Sequence, residues 1–137
     1  MRFVSRFVSG LGLPLAALLF AAAASAAPSF GTVVDNLDLR KNTKLHAQEY
    51  WKGVKGEEVN WSGTVYDVKG GRRKAKIYLA DRSRPLWRGY NLVVNTYDLQ
   101  KAGNVKKGGT VRFHGVLDSY SLKDAGAVIE VEQAELK

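Results

Sequence analysis

Two stretches of alternating apolar and polar residues, joined by a pair of glycines, constrain the fold of this chain most strongly. Residues 57–79 read EEVNWSGTVYDVKGGRRKAKIYL. Alternation of this kind gives a strand one buried face and one solvent-facing face. Gly70 and Gly71 permit the positive φ angles that a tight hairpin turn requires. The stretch therefore predicts a β-hairpin with a strongly basic turn.

The two faces of this predicted hairpin differ in chemistry. The buried face is predicted to carry Val59, Trp61, Gly63, Val65, Ile77 and Leu79. The opposite face is predicted to carry Tyr66, Lys74, Lys76 and Tyr78, with Arg72 and Arg73 at its rim. The hairpin can therefore supply a wall of the core on one side and a binding surface on the other.

The first 26 residues have the composition of a cleavable secretory signal. Arg2 and Arg6 give this segment a charged start, residues 11–20 an apolar centre, and residues 24–26 a small-residue cleavage site. The alternative is an uncleaved membrane anchor, but the apolar run is close to the lower length limit for a span. We therefore expect a periplasmic or secreted protein whose mature chain begins at Ala27.

The charge balance of the chain favours anionic partners. Lys and Arg number 21 and Asp and Glu number 13, so the formal net charge is +8. Removing the first 26 residues removes two arginines and leaves 19 basic residues against 13 acidic ones. We expect no stable membrane span after this cleavage. The sequence contains no cysteine, so the core alone must hold the domain together.

An arm and one helix are predicted between the signal and the hairpin. The arm covers residues 27–35 and the helix covers residues 36–52. The candidates for the N-cap of this helix are Asp35, Asn36 and Asn42. Leu45 and Trp51 are predicted to lie on one helical face and to contact the domain that follows. Gly53 is predicted to end the helix.

The remaining sequence predicts three more strands. The chain is accordingly divided into an N-terminal part at residues 27–56 and a folded domain at residues 57–137. The strands cover residues 90–95, 110–117 and 127–136, a polar connection covers residues 118–126, and a short helix capped by Thr96 covers residues 97–102. Five strands, with a helix between the third and the fourth, match the order of an OB-fold. We therefore predict an all-β fold with minor α: a five-stranded Greek-key barrel preceded by one N-terminal helix.

Two segments of the sequence resemble the bacterial OB-fold modules related to tRNA-anticodon-binding domains. These segments are VNWSGTV followed by Asp67 and Val68, and KGGTVRFHG at residues 107–115. The resemblance covers residues 57–136. It implies a binding module, and it does not imply a particular partner.

The basic hairpin is the first candidate binding site. OB-folds bind oligonucleotides or oligosaccharides on the outer face of strands 2 and 3, where aromatic rings stack on bases and basic side chains neutralise phosphates. The candidate residues here are Tyr66, Arg72, Arg73, Lys74, Lys76 and Tyr78. The alternative is a solvated face whose tyrosines are covered by the N-terminal helix.

A second candidate cluster lies in the loop between strands 2 and 3. It consists of Arg82, Arg84, Trp87 and Arg88. A tryptophan beside three arginines can anchor an anionic or protein surface. Alternatively, Trp87 closes the end of the barrel while the arginines remain in water.

The sequence gives little support for catalysis. His46 and His114 are the only histidines, and their spacing does not suggest a metal site. No cofactor or catalytic residue is predicted. The sequence thus predicts a non-enzymatic module that binds an oligonucleotide, an acidic glycan, a lipid headgroup or an acidic protein. The alternative is an envelope protein-interaction module that uses the N-terminal helix or a sheet edge.

Overall fold

The computed structural model describes residues 27–124 and 126–137, so the predicted signal at residues 1–26 lies outside the described residues. The elements are α1 (Phe30–Leu37), α2 (Lys44–Val54), β1 (Glu58–Gly70), β2 (Ala75–Ala80), β3 (Leu92–Thr96), α3 (Leu99–Gly103), β4 (Thr110–Lys123) and β5 (Gly126–Leu136). Within these two ranges, the helices are all too short or too polar to cross a membrane.

The five strands form one closed barrel in the order β1-β2-β3-β5-β4. β1 pairs with both β2 and β4, which closes the barrel. All neighbouring strands are antiparallel except β3 and β5, which run parallel. This strand order, with α3 between β3 and β4, is that of an OB-fold. The predicted fold class is confirmed.

The hairpin formed by β1 and β2 has the predicted faces. Val59, Val65, Ile77 and Leu79 are buried, and Trp61 is half-buried. A β-bulge between Val65 and Asp67 shifts the register of the pairing with β2. An extra residue in one strand bends that strand and increases its twist. As a result the hairpin can curve around the barrel while its apolar side stays on the core.

The turn of this hairpin differs from the prediction. Gly70 pairs with Ala75, which leaves a loop of four residues, and the Gly71 amide donates to the Lys74 carbonyl at 2.9 Å. Neither Gly70 nor Gly71 has a positive φ. Four-residue loops are usually built around a type I turn, which does not require the left-handed region. The prediction of a positive-φ glycine turn was therefore wrong.

Two helices precede the barrel, where the sequence predicted one. α1 begins within the predicted arm because the Ser29 hydroxyl caps it, accepting from the Thr32 amide at 3.1 Å. Its buried residues recur at helical spacing and are Phe30, Val33, Val34 and Leu37. α2 is capped by Thr43, not by any of the predicted residues, and it ends after Gly53, with Lys55 as its C-cap.

Only one of the two predicted contacts of the second helix exists. Trp51 is buried, and its ring lies 4.9 Å from that of Tyr120. Leu45, in contrast, is 66% exposed. The prediction for Leu45 was wrong because the buried face of the helix carries Ala47, four residues before Trp51, whereas Leu45, six residues before Trp51, lies off that face.

Two further boundaries were also predicted wrongly. α3 begins after Asp98, whose carboxylate accepts from the Lys101 amide at 3.0 Å, and Thr96 is the last residue of β3. β4 continues through the predicted polar connection to Lys123. Its polar residues there remain paired with β5 in a long hairpin, since a strand with one solvated side tolerates polar side chains.

The two ends of the barrel are covered by different helices. α1 places its four buried residues in the same apolar cluster as the barrel interior. It also contacts β1, because Phe30 packs edge-on against Trp61 with 5.4 Å between ring centroids. α3 adds a single buried residue, Ala102. The helices therefore cap the barrel and leave the outer side of the β1–β2 hairpin open.

Candidate functional site

Three tyrosines meet on the outer side of the hairpin. The ring of Tyr90 lies 5.8 Å from that of Tyr66 and 4.9 Å from that of Tyr78, the second pair being edge-to-face. The Lys69 ammonium lies 5.4 Å from the centroid of the Tyr78 ring. These four residues and Asp67 line a pocket of about 110 Å³. We call Tyr66, Lys69, Tyr78 and Tyr90 the tyrosine face.

The third tyrosine is positioned by a tight turn. The amide and carbonyl of Trp87 exchange hydrogen bonds with those of Tyr90, at 2.7 and 3.1 Å. Between them, Arg88 has a φ of 52° and Gly89 a φ of 101°, as a type I′ turn requires. A Cβ on Gly89 would lie 2.4 Å from the Tyr66 ring. Only glycine therefore lets this turn pack against Tyr66.

Two cations lie close to the Trp87 ring. The Arg88 guanidinium lies 4.9 Å from its centroid and the Lys123 ammonium 5.2 Å. Trp87 is half-buried and Arg88 is exposed. The predicted juxtaposition of tryptophan and arginine therefore exists, with a lysine from the end of β4 added to it.

Lys74 and Lys76, two of the predicted binding residues, are occupied by carboxylates of β5. Lys74 lies 3.5 Å from Glu132, and Lys76 lies 2.7 Å from Glu130. The hydrogen bond that Lys76 donates to the Glu130 carboxylate raises the pKa of Lys76. Burial opposes ionisation of Glu130, but the hydrogen bonds from Lys76 and Asn95 prevail and lower its pKa. The positive charge of these lysines is largely compensated within the protein.

Arg84 holds the loop to the N-terminal helix. Its Nε and Nη2 atoms donate to the two carboxylate oxygens of Asp35 at 2.9 and 2.8 Å. This bidentate contact is the main reason that the pKa of Asp35 is lowered. Arg84 therefore has a structural partner, whereas Arg72, Arg73 and Arg82 are exposed.

The N-terminal helices do not cover the tyrosine face. Tyr66 is 47% exposed. The pocket between the tyrosines is lined by residues of β1 and β2 and by Tyr90, which precedes β3. The geometry therefore argues against the interpretation in which the N-terminal helix covers the tyrosines of the hairpin.

Sequence reasoning missed Lys69, Tyr90 and Lys123 as members of this surface. Lys69 was obscured by the bulge, which changes the alternation after Val65. Tyr90 was assigned to a strand although it belongs to the turn, and the pair Arg88-Gly89 was a usable signal for that turn. Lys123 was assigned to a loop far from Trp87 along the chain.

The histidines and carboxylates of the described ranges do not cluster as metal ligands do. Residues 27–124 and 126–137 contain no group of three or more His, Asp or Glu that could hold a metal ion. His114 lies in hydrogen-bonding distance of Glu58 and Asn60, at 3.0 and 3.1 Å. His46 contacts Asn36 at 2.8 Å. Neither histidine lies beside a nucleophile in these contacts.

No protein-family model and no curated protein matches this chain. An OBody bound to hen egg-white lysozyme is similar in structure, with 17% identity and a TM-score of 0.46 over 62% of this chain and 80% of that one. Pot1pC of Schizosaccharomyces pombe, bound to ssDNA, has 11% identity and a TM-score of 0.43 over 61% and 78%. Asparaginyl-tRNA synthetase from Pyrococcus horikoshii has 20% identity and a TM-score of 0.44 over 65% and 21%. The OB-fold assignment itself is based on the strand order of this chain.

Proposed function

We propose that this protein is an exported, non-enzymatic OB-fold module that binds an anionic partner through the tyrosine face. The observation that carries this proposal is the contact of three tyrosines on an uncovered outer surface, with the Lys69 ammonium beside them. Candidate partners are an oligonucleotide, an acidic glycan, a lipid headgroup or an acidic protein. The resemblance to tRNA-anticodon-binding-like modules supports a binding role and does not choose among these partners.

The contacts along this surface favour an elongated partner. Lys69 lies over Tyr78, Tyr78 touches Tyr90, and Tyr90 pairs through its backbone with Trp87. Arg88 and Lys123 in turn lie close to the Trp87 ring. Aromatic groups and cations thus recur along a band from the β1–β2 hairpin to the turn before β3. A chain with repeating negative charges and flat rings or sugars can contact such a band at several points.

The salt dependence of binding tests this proposal. The probes are a short single-stranded oligonucleotide, an acidic oligosaccharide and vesicles of anionic lipid, each titrated at several salt concentrations. Phosphate-type contacts release counterions, so affinity should fall steeply with salt. Replacing Arg72 and Arg73 with Ala should weaken binding and reduce the salt slope. Replacing Lys44 and Lys55, the exposed lysines at the start of α2 and at its C-cap, removes the same charge outside both candidate surfaces and should have little effect.

An envelope protein-interaction module is the second candidate, and a specific apolar surface favours it. A cavity of about 230 Å³ lies between the α1–α2 connection and the end of the β4–β5 hairpin. Leu39 and Leu122 line it and are 46% and 41% exposed. A protein bound there through apolar contacts would respond little to salt. Salt-insensitive capture of a single envelope protein would replace the first proposal with this one.

Export is a separate part of the proposal and has its own test. The motivation is the charged, apolar and small-residue pattern of residues 1–26. The intact mass of protein recovered from the cell envelope should correspond to a chain that begins at Ala27. Recovery of the full-length chain in the inner membrane would instead indicate an uncleaved anchor.

A further inference from the structure

The end of the barrel next to α3 is incompletely filled. α1 fills the opposite end with Phe30, Val33, Val34 and Leu37, but α3 contributes only the small side chain of Ala102. A cavity of about 300 Å³ lies beside α3, between the α3–β4 connection and the ends of β1, β4 and β5. Its apolar lining residues are Val65, Val105, Val111 and Leu136. This size is at the lower end of the range of small-molecule sites.

The rim of this cavity is basic. Lys101, Lys106 and Lys137 line it, and its lining includes no Asp or Glu. Lys101 donates to the Leu136 carbonyl at 3.2 Å, and Lys137 donates to the Asn60 side chain at 3.0 Å. Both acceptors are neutral, and none of the three lysines forms an ion pair with another described residue. No described Asp or Glu side chain therefore pairs with them, in contrast to Lys74 and Lys76.

A neighbouring groove is also lined by basic residues. This groove of about 400 Å³ lies along β1 and β4 and shares Thr110 and Lys137 with the cavity. Arg112 adds a further cation, and this lining also includes no carboxylate. A negatively charged group at the shared rim would thus meet cations from both sides.

We propose that this cavity is a second binding site, which takes a small amphiphilic anion. The apolar floor receives the hydrocarbon part, and the lysines at the rim receive a carboxylate or a phosphate monoester. The cavity shares no lining residue with the pocket of the tyrosine face. The two sites can therefore be tested independently, and the failure of one does not decide the other.

Titration of the purified protein with sodium decanoate and with decyl phosphate, both below their micelle concentrations, tests this site. Binding is monitored by the backbone amide shifts of Val105, Val111 and Leu136. Lys106→Glu should weaken binding by about tenfold or more, as expected for the loss of a charge-assisted contact. Lys107→Glu is the matched control, because it changes the net charge equally at a residue outside the lining. This control should bind as the unaltered protein does.

Comparison ligands separate the two halves of the proposal. Decanol has the apolar body without the charge, and inorganic phosphate has the charge without the body, so each should bind more weakly than decyl phosphate. The proposal is overturned if neither decanoate nor decyl phosphate shifts the three amides, if Lys107→Glu weakens binding as much as Lys106→Glu, or if decanol binds as tightly as decanoate. Melting curves of both variants establish that they are folded.

Discussion

At the scale of single residues, Tyr78 links stability and binding. Its ring is half-buried, packs edge-on against Tyr90 and lies beneath the Lys69 ammonium. An edge-to-face pair contributes about 0.5–1.5 kcal/mol beyond the burial of its area. Tyr78 is therefore neither a free surface residue nor a full member of the core.

Replacing Tyr78 with Ala should lower the free energy of unfolding by about 1–3 kcal/mol, since it removes an aromatic pair and part of a packed side chain. Tyr97→Ala is the control, because Tyr97 is 61% exposed and should cost less than about 0.5 kcal/mol. Urea denaturation measures both values. Equal effects of the two substitutions would show that the tyrosine face is not packed as described.

Glu130 should make the stability of the fold depend on pH. Its pKa is lowered in the folded state because the hydrogen bonds from Lys76 and Asn95 outweigh burial. The stabilisation is fully present above the ordinary glutamate pKa of about 4.3 and is lost as the pH falls through the lower folded pKa. Glu130→Gln should therefore destabilise the protein at pH 7 more than at pH 3. Denaturant melts at both pH values measure this, and an equal effect would contradict the assignment.

At the scale of elements, α1 is part of the core. Leu37 is fully buried, and the helix is joined to the loop before β3 by the ion pair between Asp35 and Arg84. Both partners of that pair are about one-third exposed, so its contribution is expected to be below about 1 kcal/mol. Apolar burial must then provide most of the attachment of α1 to the barrel.

Leu37→Ala should therefore lower the free energy of unfolding by about 2–5 kcal/mol. Leu45→Ala on α2 is the matched control, since Leu45 is mostly exposed and should change stability by less than about 0.5 kcal/mol. Chemical denaturation compares the two variants. A small effect of Leu37→Ala would mean that α1 detaches from the barrel without loss of the fold.

The close packing of β4 against β5 requires a glycine at position 115. A Cβ there would lie 2.5 Å from Cγ1 of Val131 and 3.2 Å from the Glu132 carbonyl oxygen. Gly115→Ala should therefore destabilise the protein by about 1–3 kcal/mol. Gly53→Ala in α2 meets no atom within 4 Å and should stabilise by up to about 1 kcal/mol. Thermal melts of the two variants show whether each substitution lowers or raises the stability. Stabilisation by Gly115→Ala would contradict the close packing.

Elements with strong alternation were predictable from the sequence, and elements defined by caps and bulges were less so. The first two strands were predictable because one side of each strand is buried, and that side carries Val59 and Val65 in β1 and Ile77 and Leu79 in β2. α1 was missed although Phe30, Val33, Val34 and Leu37 have helical spacing, because its Ser29 cap lies directly after Pro28 in an apparent arm.

The residue types of the candidate site were predictable from the sequence, but the contacts between residues that are distant along the chain were not. Tyr66 and Tyr78 followed from alternation, but their partner Tyr90 depends on a turn between distant strands. The ion pairs of Lys74 and Lys76 involve residues more than fifty positions away in β5. Such contacts follow from the parallel pairing of β3 and β5, which local sequence patterns do not reveal.

At the scale of the whole molecule, binding of an anion depends less on the net charge than on which basic residues are not paired with carboxylates. β5 supplies Glu130 and Glu132 to the basic residues at the start of β2. Arg72 and Arg73 in the loop, and Arg88 beside Trp87, remain exposed. The tyrosine face lies on the outer surface between these groups. We therefore expect an elongated anionic partner to contact this band.

Amide chemical-shift mapping during titration with a short single-stranded oligonucleotide, repeated with an acidic oligosaccharide, tests the central claim most directly. The account predicts that at least one of these probes shifts the amides of Tyr66, Lys69, Tyr78 and Tyr90, and that the shifts diminish as salt is added. Shifts confined to the Leu39 and Leu122 groove, or no shifts with either probe at low salt, would contradict it.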